Sequence, residues 1–231
     1  MQQRKIGKSQ LWIIVPVLAA VFGLVSFWAW RCCFQRPVFE GKQLSVWLAD
    51  LNAAGEKAEK AASVIRNAGT NALPELIQIL GARGGGINNP QNHLIRWLPF
   101  LPLKPQTDLK WKAVSAFKLL GSGASAAAPK LGGLLDQGRN PGYASTALSY
   151  IGPDGLQYLM SAMTNREPTI RFVSIMAIGR MGKVALPAVP EIQKALQDSE
   201  SIVSNAAADA LKQLKADSLT PAATNEDARK P

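Results

Sequence analysis

Histidine and cysteine are almost missing from this chain of 231 residues: His93 is the single histidine, and the adjacent Cys32 and Cys33 are the two cysteines. A Ser-His-Asp or Cys-His nucleophile would have to use His93. Two neighbouring thiols, with none further along the chain, supply neither a disulfide framework nor a zinc site for the body of the protein. Aromatic side chains make up 7% of the chain, and Val/Ile/Tyr/Thr runs of strand length are missing, whereas alanine is abundant. That balance favours helices over sheets.

Phosphate and dinucleotide motifs are missing as well. Gly121-Ser-Gly123-Ala-Ser-Ala126 has the letters of G-x-G-x-x-A, but it follows a helical pattern and not a strand. Gly182-Lys183 lacks the rest of a P-loop, and the carboxylates are scattered without an evident buried pair. The expectation is a protein with no catalytic residues, no cofactor and no metal.

What the chain does have is positive charge, with 26 Lys and Arg against 16 Asp and Glu. Residues 1–37 hold Arg4, Lys5, Lys8, Arg31 and Arg36 and no acid, which is half of the net +10. Residues 83–139 carry eight basic and two acidic side chains. The excess is one modest patch beyond a basic flank, not the continuous stripe of a dedicated nucleic-acid binder.

Leu11–Trp30 reads LWIIVPVLAAVFGLVSFWAW, twenty residues without a charge. At 1.5 Å per residue a helix of this length spans about 30 Å, the thickness of a bilayer core. Eleven of the twenty are Leu, Ile, Val or Phe, and together they favour insertion by about 3–7 kcal/mol. Trp12 at one end and Trp28 and Trp30 at the other fit an aromatic belt. The competing reading, a cleaved signal peptide, needs a shorter apolar core and a small-x-small site. Phe27 occupies the position that should be small if Ala29 preceded the cut. An uncleaved single-pass anchor is expected, with the basic tail 1–10 before it and a linker 31–42 after it. Basic residues flank both ends, so the positive-inside count is a tie. A short basic tail ahead of a first span more often stays in the cytoplasm, which puts the body outside it.

The body repeats itself. Gly121, Gly152 and Gly182 are spaced 31 and 30 residues apart, and each ends an apolar stretch. At offsets of 8, 5, 4 and 1 residues before them stand Ala113, Ala116, Phe117 and Leu120; Ala144, Ala147, Leu148 and Ile151; Ser174, Ala177, Ile178 and Met181. Gly69 repeats the frame with Ala61, Val64, Ile65 and Ala68; Ala207, Ala210, Leu211 and Leu214 repeat it once more before Lys215. These offsets form one face of an α-helix. The glycine then suits the C′ position, where a positive φ is wanted. Pro74, Pro129 and Pro190 start second helices, where a missing N–H costs nothing. In the Gly152 unit the second helix is LQYLMSAM, with Gly155 nearby instead of a proline. Each unit is thus a helical hairpin that buries its apolar face by stacking on the next.

These A-x-x-(A/V)-large-x-x-large-G frames and proline-led second helices resemble HEAT repeats, in particular the short bacterial type named after phycobilisome lyases. The likeness runs from about Glu56 to Ala216. Gly41–Leu51, GKQLSVWLADL, resembles the opening helix of membrane-anchored bacterial HEAT proteins; Ser45 can cap it, and Leu44, Trp47, Leu48 and Leu51 form its buried face. The resemblance implies an all-α fold, an α-solenoid of stacked helical hairpins over residues 43–216, preceded by one transmembrane helix. It says nothing of activity. Helical-repeat hydroxylases resembling deoxyhypusine hydroxylase need several His-Glu pairs, which a single histidine cannot supply.

The period breaks once. Gly69 and Gly121 are 52 residues apart, and the surplus falls in 81–107. This insertion opens with three glycines and continues with Pro99, Pro102 and Pro105, which exclude a regular helix, among Leu94, Ile95, Trp97, Leu98, Phe100, Leu101 and Leu103. Either these side chains cover the first unit, or they contact a partner or membrane, or the segment is disordered. For the contact, Trp97 and Phe100 are the candidate anchors, with Arg96, Lys104, Lys110 and Lys112 as the basic rim. The tail 217–231 has one large apolar residue, Leu219, and is expected to be disordered.

Three functions compete. The first is a membrane-anchored, non-catalytic scaffold that presents the concave surface of its second helices to a protein or peptide. The second is a phycobilisome-lyase-like chromophore lyase subunit, suggested by the repeat family's name alone. The third is a binder of nucleic acid or anionic lipid through 83–139, with nucleic acid disfavoured by the modest charge. The first is preferred.

Overall fold

The computed structural model describes residues 37–51, 53–82 and 106–219, together with Gly23. Among these residues no helix is long and apolar enough to cross a membrane. Apart from Gly23, the Leu11–Trp30 span lies outside them, as do most of the insertion and the tail from residue 220.

Among the described residues the fold is all-α but for one small hairpin. Val38–Phe39 pairs with Lys42–Gln43 around Glu40 and Gly41, which both take positive φ. Helix α1 (Leu44–Asp50) follows directly and buries Leu44, Trp47 and Leu48, with Leu51 half-buried. The Trp47 indole N–H donates to the Phe39 carbonyl at 2.8 Å, and Lys42 Nζ stands 4.6 Å from the centre of its ring. Ser45 does not cap this helix. Gln43, extended at the end of the hairpin, is the N-cap residue and makes no side-chain capping bond; Ser45 is already inside the first turn.

Among the described residues four pairs of helices and a final helix come next. They are α2 (Glu56–Ala68) with α3 (Leu73–Gly81), α4 (Gln106–Leu120) with α5 (Ala128–Asp136), α6 (Pro141–Ile151) with α7 (Pro153–Ala162), α8 (Pro168–Gly179) with α9 (Val189–Ala195), and α10 (Ser201–Leu219). The first members, α2, α4, α6, α8 and α10, pack in succession as one layer. Behind them α3 packs on α5 and α5 on α7, while α7 meets the turn that leads into α9.

The repeated frames form the seam between the layers. Ala61, Val64 and Ile65; Ala113, Ala116 and Phe117; Ala144, Ala147 and Leu148; Ser174, Ala177 and Ile178 are all buried, as are Ala207, Ala210 and Leu214 of α10. The small residues let helices approach closely, and each fully buried large one contributes about 1.5–3 kcal/mol. Gly69, Gly121 and Gly152 directly follow their helices, and Gly182 comes three residues after Gly179, the last residue of α8; their φ of 51, 52, 88 and 58° is one that a residue with a Cβ adopts only with strain.

The links inside the pairs differ. Gly121 and Gly182 each open a 3-10 segment (Gly121–Ala127 and Gly182–Ala188) before the next helix; Gly69 opens a shorter one, Gly69–Ala72. Gly152 is followed at once by Pro153, the first residue of α7. A proline therefore leads the second helix of this unit too, and the expectation that Gly155 replaces it is corrected. Gly155 has another reason to be there: a Cβ at this position would overlap the Leu148 backbone carbonyl of α6.

The element ends shift slightly from expectation. Gly81 still belongs to α3, and Gln106 and Thr107 already belong to α4, so the break in the pattern is narrower than 81–107. Helix α10 runs on to Leu219, so Asp217–Leu219 are helical. Apolar spacing locates buried faces and does not fix where a helix ends.

Candidate functional site

An open groove of about 410 Å³ lies on the first layer, across α4, α6 and α8. Its origin is a run of small side chains between large ones. Helix α6 contributes Gly142, Ser145 and Thr146, flanked by Trp111 and Tyr143 on one side and by Phe172, Val173 and Met176 of α8 on the other. The two hydroxyls do not make the groove polar, because both donate to the Gly142 carbonyl, Ser145 Oγ at 3.2 Å and Thr146 Oγ1 at 2.7 Å. Bonded back to their own helix, they leave mainly carbon to face the opening.

Trp111 is 55% exposed, a large apolar surface left in water on a helix that otherwise buries its apolar face. Its ring meets Tyr143 edge to face, with centroids 4.8 Å apart and planes at 62°. One step along the same seam, Lys118 Nζ stands 5.8 Å from the centre of the Tyr150 ring. Among the described residues Arg180, just beyond α8, is the charged one in the lining, and none in the lining is acidic.

Asn140 fixes the end of the groove where α6 begins. It sits at φ 52, ψ 52, a left-handed conformation that asparagine tolerates better than most residues. Its amide Nδ2 donates to the Leu80 and Ala82 carbonyls at 2.7 and 2.9 Å, and Arg139 Nη2 donates to the Gly81 carbonyl at 2.8 Å. These bonds satisfy the carbonyls that end α3. Asn140 Oδ1 accepts from Lys110 Nζ at 3.0 Å, so one side chain ties α3, α4 and α6 together.

Of the residues expected to make a contact, Arg96, Trp97, Phe100 and Lys104 lie outside the described residues. Lys110 is placed, but not on a rim. It is buried, bonded to Asn140, and 5.8 Å from the centre of the Tyr143 ring. Burial holds its ammonium below the usual lysine range. Lys112 is half-buried and does not line the groove. The groove also occupies the layer of first helices, whereas the sequence pointed to the second.

Trp111, Tyr143, Phe172, Val173, Met176 and Arg180 were not singled out by the repeat frame. A signal for them exists. Trp111 and Phe172 each stand ten residues before their glycine, and Tyr143 stands nine before Gly152. These are positions outside the buried frame that nonetheless carry aromatic side chains in three consecutive units. Among the described residues, no cluster of histidine, cysteine and carboxylates is placed to hold a metal ion. Two comparisons with known proteins bear on this site only by their outcome: no family model matches the chain, and no curated protein matches it.

Proposed function

We propose that this protein is a membrane-anchored, non-catalytic scaffold whose helical body is a HEAT-like α-solenoid that mediates protein–protein interaction. The succession α2, α4, α6, α8, α10 in one layer, with α3, α5 and α7 behind it, supports the solenoid reading. The anchor rests on the uncharged span Leu11–Trp30, and the body is assigned to the side away from the cytoplasm by the basic N-terminal tail.

The observation that carries the interaction reading is the groove. It presents exposed Trp111 beside Tyr143, Phe172 and Met176 over small residues whose hydroxyls are bonded internally. Such a surface recognises apolar side chains, and aromatic side chains dominate contact energies at protein interfaces.

The test has two arms. Membranes containing the full chain are extracted with carbonate, and the mature N-terminus is determined; retention in the pellet with the span intact is expected. Release, or an N-terminus beyond Trp30, overturns the anchor. The chain is then cross-linked in its membrane, solubilised in detergent and purified. Recovery of one protein in constant ratio is expected; a chain that is consistently recovered alone overturns the scaffold.

A further inference from the structure

Resting on that interaction reading, we propose that the α4–α6–α8 groove docks a short acidic segment of a partner protein, which seats one or two large apolar side chains beside Trp111 and Met176 and sets a carboxylate against Arg180.

The shape limits the occupant's size. A volume of about 410 Å³ lies in the range of sites that take a few side chains and not a folded domain. Among the described residues the side-chain donors of the floor are already used, since Ser145 and Thr146 donate to Gly142, and Asn140 spends its amide on the end of α3. A polar occupant would lose its hydration there without return. Leucine, phenylalanine or methionine would not.

The sign of the occupant's charge follows from the three helices that form the groove. Helix α4 carries Lys110, Lys112 and Lys118 against the single acid Asp108. Helix α6 has neither lysine, arginine nor carboxylate, and α8 with the residue after it carries Arg171 and Arg180. Arg171 is neutralised by Asp198, at 2.7 Å. Arg180 is exposed and lines the groove, and among the described residues no acid lines it. A carboxylate placed there gains a charge-assisted partner, and a lysine or arginine would be repelled.

The experiment uses the full chain in detergent micelles and a random dodecapeptide phage library. Selection should enrich peptides that join Leu, Phe or Trp to Asp or Glu. The strongest peptide is then synthesised with a fluorophore and titrated against wild type, Trp111→Ala and Arg180→Glu. Both positions are exposed, so melting temperatures should stay near that of wild type. Affinity should fall about tenfold or more for each variant. Enrichment of basic peptides, no enrichment, or binding that neither substitution weakens overturns the proposal. So does binding that appears only when residues 83–105 are replaced by a Gly-Ser linker, which would make the chain its own occupant. The two readings fail separately: a cross-linked partner recovered equally by wild type and both variants retires the groove and leaves the scaffold standing.

Discussion

The pairs α4/α5 and α6/α7 use the same inward frame and close it in two different ways. In the first, Leu120 gives way to Gly121 and a 3-10 segment of seven residues before α5 starts. In the second, Gly152 is the entire link, and Pro153 already belongs to α7. The long link holds the second helix away from the end of the first. The short one sets α7 directly against the last turns of α6, and the contact is possible because Gly155 has no Cβ to meet the Leu148 carbonyl. A repeat can thus shorten its turn when a glycine is placed where the two backbones meet. What the frame shares should behave alike on mutation, and what the links do not share should separate the two pairs.

The largest expected effect tests the shared part. Leu148 and Ile178 are fully buried in equivalent positions of α6 and α8. Leu148→Ala or Ile178→Ala should each cost about 2–5 kcal/mol in chemical denaturation, as truncated core residues do. The exposed Lys212 serves as the control, and Lys212→Ala should change little. Small and equal losses at all three positions would mean that the frame is not the core.

Next in size is the change that separates the links. Gly155→Ala should destabilise by about 1–3 kcal/mol, because the obstacle is backbone and cannot rotate aside. A thermal melt indistinguishable from wild type would show that the contact between α6 and α7 is looser than the structure has it.

How far these features are legible in the sequence depends on what determines them. The five frames, and the glycines that follow four of them, are readable because burial imposes a period of 3.6 on residue size, and a left-handed turn after a helix favours glycine. Gly155 is visible as a letter, but the backbone it touches is set by a turn length that periodicity does not encode. Ser45 looks like a cap by type, and it fails because the hairpin before it delivers Gln43 to the N-cap position. Lys110 looks like a surface cation, and its burial comes from Asn140, thirty residues away in sequence. The groove was missed for a related reason: its aromatic residues stand outside the buried frame, so the pattern that finds the core passes over them. Arg96, Trp97, Phe100 and Lys104 remain readings of the sequence.

A smaller effect tests how the last two helices of the first layer are held. Arg171 of α8 pairs with Asp198 through Nε to Oδ2 at 2.8 Å and Nη2 to Oδ1 at 2.7 Å, while its Nη1 donates to the Asn165 and Arg166 carbonyls. The guanidinium holds the Asp198 carboxyl below the usual carboxylate range. A carboxyl depressed by folding stabilises above its unfolded pKa, and the contribution fades as pH falls through the lowered folded value. Arg171→Ala should therefore cost about 1–2 kcal/mol at neutral pH. The gap from wild type should narrow below about pH 4. A gap that is constant with pH would assign the loss to packing and not to the ion pair.

The smallest expected effect has the opposite sign and returns to the long link. Gly123 lies inside the 3-10 segment Gly121–Ala127, is exposed, and does not have the positive φ of Gly121. A Cβ built there meets nothing within 4 Å. Alanine should therefore fit the folded chain without strain and restrict the unfolded one, raising stability by about 0.4–1 kcal/mol. Gly121→Ala, two residues earlier, has the same open space but would have to hold φ 52, and should destabilise. The pair of variants isolates backbone conformation from packing, since neither new methyl group has a neighbour. If both stabilise, Gly121 is not held in its left-handed conformation and the long link is as permissive as an unstructured loop. If Gly123→Ala also destabilises, the 3-10 segment is under a constraint that its open surroundings do not reveal.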